Sequence, residues 1–95
     1  MTQLIIKSPS AANVKPLIQA ALDHEMRILK IGLEKTMQQL CQFEKRFGKE
    51  SHQFYLEFQD GIFGDAIEYM KWAGEYETFL QLQDDYNEIQ GIQVC

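Results

Sequence analysis

Ninety-five residues, 45% of them hydrophobic, suffice for one domain with one core and leave too little chain for a second. The net charge of -5 is unevenly spread: seven Lys or Arg face four acids up to Gly48, and two lysines face ten acids from Lys49 onward. The acidic half repels phosphate backbones and suits either a basic partner or a solvated helix face, which leaves any nucleic-acid binding to the basic half. The two cysteines, Cys41 and Cys95, have no metal-like spacing and form no disulfide framework, and no apolar run is long enough for a signal or membrane span. The expectation is a reduced, cytoplasmic protein with no membrane partner.

Residues 1–9 form an extended segment around Leu4, Ile5 and Ile6, closed by the Ser8-Pro9-Ser10 turn. Two readings stay open. A strand here has no partner in an otherwise helical chain and would need one from a second copy or another protein, whereas a frayed terminus needs none.

A long helix is predicted over 13–47, capped by Ser10 or Asn13, with Pro16 in a first turn where its missing N–H costs nothing. Leu22, Met26, Leu29, Leu33, Leu40, Phe43 and Phe47 recur at alternating steps of four and three, with Thr36 in the slot they skip, which is a heptad seam. Leu17, Ala21, Ile28 and Ile31 lie on the opposite side, so one partner helix cannot cover both faces and self-association follows. Gly48 stops the helix in a left-handed turn, with Lys45 and Arg46 at the end where cations suit the dipole.

A short helix is predicted over 51–60, burying Phe54, Tyr55 and Phe58 and ending at Gly61. The turn at Gly64-Asp65 leads into a last helix over 65–90, where Asp65 and Glu68 resemble a capping box. Its stripe runs through Tyr69, Trp72, Tyr76, Phe79, Leu82, Tyr86 and Ile89. The predicted fold class is therefore all-α: a single domain, 1–95, in which long, short and long helices make an antiparallel hairpin within a homodimeric bundle. The predicted core is Leu29, Leu33, Leu40, Phe43, Phe47, Phe54, Phe58, Trp72 and Tyr76, with Gly48, Gly61 and Gly64 as turn formers.

No residue set reads as a catalytic or metal site, and no cofactor or small-molecule substrate is expected. His24 and His52 lie on different elements, and consecutive Asp23, His24 and Glu25 point in different directions round a helix. Asp65, Glu68 and Glu75 suit a helix N-terminus on dipole grounds alone. Gly61 and Gly64 flank Phe63 without the lysine or strand of a phosphate loop. Phe47, Trp72 and Tyr76 read as core packing rather than as a base-stacking platform.

The run Phe43-Glu44-Lys45-Arg46-Phe47-Gly48, then Phe54, Phe58, Gly61, Gly64-Asp65 and Tyr69, then Trp72-Ala73-Gly74-Glu75-Tyr76-Glu77, resembles small prokaryotic proteins, common in cyanobacteria and archaea, that look like antitoxin partners of small toxin-like proteins. The resemblance covers about half the chain and is strongest in the second run. It implies a non-enzymatic protein that masks a cognate toxin.

The acids Glu68, Glu75, Glu77, Asp84, Asp85 and Glu88 and the apolar Leu17, Ile28 and Ile31 are the residues expected to meet partners, and Gly74 is a candidate for close helix approach. Three other readings remain. One is a DNA-binding regulator using Lys7, Lys15, Arg27, Lys30 and Lys35, for which a ribbon-helix-helix version needs a break near Gly32. The second is a homo-oligomeric helical protein of purely structural role, and the third is a bundle enzyme with a carboxylate-bound metal.

Overall fold

A computed structural model describes residues 3–4 and 11–94, with side chains described over 14–92. Three helices, α1 (Ala11–Phe47), α2 (Ser51–Gln59) and α3 (Ile67–Gln90), carry almost all of it. The two long helices pack antiparallel, and α2 folds back against α3 at one end. Two regions result: a three-helix head, and an arm only two helices thick.

The heptad seam of α1 faces α3. Its half-buried and buried residues run Val14, Ile18, Leu22, Met26, Leu29, Leu33, Thr36, Leu40, Phe43 and Phe47. Thr36 fills the slot that the apolar residues skip and is buried, its hydroxyl donating to the Leu33 carbonyl at 2.9 Å. The helix runs unbroken through Gly32, which removes the ribbon-helix-helix arrangement. Gly32 also lets the helices approach, since a Cβ there would sit 3.2 Å from Leu82 Cδ1. Gly74, expected to permit close approach, is exposed, and a Cβ there would meet nothing within 4 Å.

The start of α1 precedes the expected one. Asn13 falls inside the helix rather than capping it, and Pro16 is the sixth residue, so the residue 12 carbonyl lacks its usual donor. Ser10 and the rest of 5–10 lie outside the described residues. At the far end Gly48 adopts φ 65° and its N–H reaches the Glu44 carbonyl at 2.8 Å. Gly61 and Gly64, at φ 78° and 70°, turn the chain between α2 and α3.

Asp65 does not cap α3. Ala66 takes that position without a side-chain hydrogen bond, and Glu68 turns instead to Arg46 of α1 at 2.6 Å. With Ala66 as the cap, Glu68 is the second residue of the helix, one short of the position a capping box needs.

The two ends of the described chain meet at the tip of the arm. A two-residue strand β1 (Gln3–Leu4) pairs in parallel with β2 (Gln93–Val94), Gln3 opposite Gln93 and Leu4 opposite Val94. The antiparallel helices bring the chain's own end alongside, so this pairing needs no strand from elsewhere.

The head is an aromatic core. Among the described residues Trp72 and Phe54 are the two fully buried large side chains, their rings parallel within 4° at a centroid distance of 3.8 Å. Phe43 and Phe47 stack near the same indole at 5.7 and 5.4 Å, and Phe58, Phe63 and Tyr69 surround Phe54. Such pairs contribute about 0.5–1.5 kcal/mol each beyond the area they bury. Leu40, Ala73 and Tyr76 complete this core, while Leu29 is the one buried apolar side chain of the arm among the described residues. Leu33, Phe43, Phe47 and Phe58 are half-buried.

Candidate functional site

The junction of α1 and α2 is held by polar bonds that meet in the head. Glu44 Oε2 accepts the Ser51 N–H at 2.8 Å, giving the N-terminus of α2 both a partner and a negative charge. The buried Ser51 hydroxyl accepts the Trp72 indole N–H at 2.9 Å. His52 Nδ1 lies 3.0 Å from the Tyr76 hydroxyl, and its ring is turned to that phenol. The adjacent Ser51 and His52 therefore do not form a nucleophile and base pair.

Two ion pairs flank the core, Arg46 to Glu68 and Lys49 to Glu57, and both cations also lie over aromatic faces, Phe47 and Phe63, at 5.2 and 5.0 Å. The hydrogen bond from Lys49 holds the Glu57 carboxyl below its ordinary range, against a smaller opposing effect of desolvation. Tyr55 donates to Glu77 Oε1 at 2.8 Å, and this bond, with some desolvation and the carboxylate's charge, raises the phenol's pKa.

Two grooves open on the head. One, about 290 Å³, is lined by Gln39, Gln42, Phe43, Arg46, Glu68 and Lys71. The other, about 320 Å³, is lined by Met37, Leu40, Glu44, Glu50, Ser51, His52, Tyr76 and Phe79. Neither brings together a nucleophile, a base and an oxyanion donor. Among the described residues no group of three or more His, Cys, Asp or Glu could hold a metal ion, and no helix is long and apolar enough to cross a membrane.

The acids of α3 do not share one face. Glu68 and Glu75 are seven apart and in step with Leu82 and Ile89 beside the seam, whereas Glu77 and Asp84 take the outer side with exposed Glu88. Glu68 is engaged by Arg46 and Glu77 by Tyr55, and Asp85 accepts from Gln81 at 3.0 Å. Lys71 is the one cation of α3.

The basic residues of α1 are likewise dispersed. Lys15, Arg27, Lys30 and Lys35 are interspersed with Asp23, Glu25 and Glu34 and form no unbroken basic stripe; Lys7 lies outside the described residues.

The apolar positions named for partners are open. Leu17 is 70% exposed, Ile28 48% and Ile31 66%. A second exposed cluster, Ile62, Ile67 and Met70, sits around the turn into α3. It was not anticipated, although apolar residues beside Gly61 and Gly64 were its signal. The Glu44, Ser51 and Trp72 chain had no local signal, because its members are brought together only by the turn at Gly48 and the return of α3. Comparison with protein-family models, curated proteins and solved structures finds no match for this chain.

Proposed function

We propose that this chain is a non-enzymatic binding protein, antitoxin-like, that masks a small basic protein with the outer side of α3. The observation that carries the reading is the charge of that side: Glu77, Asp84 and Glu88 lie along it, on a helix whose one cation is Lys71. Of these, exposed Asp84 and Glu88 have no ion-pair partner among the described residues and lie where no cation of α3 follows them. Long-range attraction of this kind speeds encounter with a basic surface and disfavours acidic ones. The resemblance of the Phe43–Gly48 and Trp72–Glu77 runs supplies the toxin-masking role.

Co-expression with the product of the neighbouring gene tests it. The expected outcome is a co-purifying complex that weakens at least tenfold between physiological salt and about 1 M, where the screening length falls to about 3 Å. Asp84→Lys with Glu88→Lys should abolish it. Absence of any complex at low salt removes the reading's main support.

A further inference from the structure

We infer that the outer apolar stripe of α1 is covered by a second copy of this chain, through a face distinct from the acidic side of α3. Leu17, His24 and Ile31 are each seven residues apart, and Ala21 and Ile28 are seven apart between them, so the stripe is a second heptad seam turned away from α3. Its large members are 70%, 48% and 66% exposed, which leaves a periodic apolar surface in water. A heptad seam meshes with another helix of the same period, and an identical helix provides one.

The size of the molecule supports the same occupant. Its radius of gyration is 18.5 Å, whereas a compact chain of this length has about 12 Å. Its accessible surface is 6862 Å², about 1,200 Å² more than the size law gives for a folded monomer of this mass. A stable interface hides about 800 Å² per partner, so the excess is enough for one.

Charge selects which face meets its copy. Around the α1 stripe, between 15 and 35, four cations stand against three acids, so two such faces meet nearly neutral. From Glu77 to Glu88, α3 carries four acids and no cation, and two of those faces would repel. A strongly basic partner likewise gains nothing from the α1 stripe. His24, in the middle of the stripe, is the polar residue that limits how tightly the copies associate.

Sedimentation equilibrium of the full chain at micromolar concentration tests this without any other protein present, so its result is independent of the masking reading. The expected mass is two chains of 11.1 kDa each. Ile28→Ala with Ile31→Ala, which trims side chains that are exposed in the single chain, should raise the dissociation constant at least tenfold, and Ile28→Glu with Ile31→Glu should leave a helical monomer. His24→Leu should tighten the dimer. A wild-type mass other than two chains overturns the inference, as does an unchanged dissociation constant in the alanine pair.

Discussion

The head and the arm are built from the same two long helices, yet they enclose themselves to different degrees. In the head, α2 adds a third helix, and Phe54 and Trp72 are excluded from water. In the arm, α1 and α3 have only each other, and Leu29 alone of the described apolar side chains there is buried, at 6% exposure. Two helices share one line of contact, so each keeps an outer side that its partner cannot reach. Stability should therefore be concentrated in the head, with the arm opening at lower free energy.

Trp72→Ala is the most severe test of that contrast. It should cost about 3–5 kcal/mol, much of the stability of a small domain, read as a loss in the urea midpoint. Leu29→Ala should cost about 2 kcal/mol, near the lower end for leucine truncation, because the thin arm can collapse around the gap. Equal losses at the two sites would break the comparison.

Ser51→Ala leaves the buried Trp72 N–H without its acceptor and should cost about 1–3 kcal/mol. Adding Trp72→Phe in the same chain removes the orphaned donor, so the double variant should recover part of that loss in a double-mutant cycle.

The two helical glycines divide the regions further. Gly74→Ala meets open space and should stabilise by about 1 kcal/mol, whereas Gly32→Ala brings a Cβ to 3.2 Å from Leu82 and should gain little or nothing. The smallest effect is in pH. Glu57 has its pKa lowered from 4.5 in the folded chain, so its contribution is present above that value and drains as pH falls through the folded-state pKa; Glu57→Gln should remove that acid-side slope. Tyr55 acts in the opposite sense. Its raised pKa favours the folded chain below 10.0, and that gain is lost as pH climbs toward the folded-state value.

Much of the fold was legible in the spacing of residues. The alternating fours and threes from Leu22 to Phe47 marked the seam because helical periodicity is a local property, and Gly48, Gly61 and Gly64 marked turns that do require positive φ. What misled was local chemistry overruled from a distance. Asp65 and Glu68 had the spacing of a cap, but the helix starts two residues later at Ile67, and Glu68 meets Arg46 of α1. Gly74 looked like a contact glycine, yet α2 and α1 pack on other sides of α3, and Gly32 meets the neighbour instead. The acids of α3 read as one face in a string of letters and divide in space because seven-residue steps sort them onto different sides.

The single tryptophan of this chain has its indole stacked in the head and none in the arm. Its fluorescence is thus a private signal of one end of the molecule, while circular dichroism sums over the whole helical length. If the arm melts first, ellipticity will fall while the emission maximum stays blue, and the gap between the two curves will measure how independently the ends unfold.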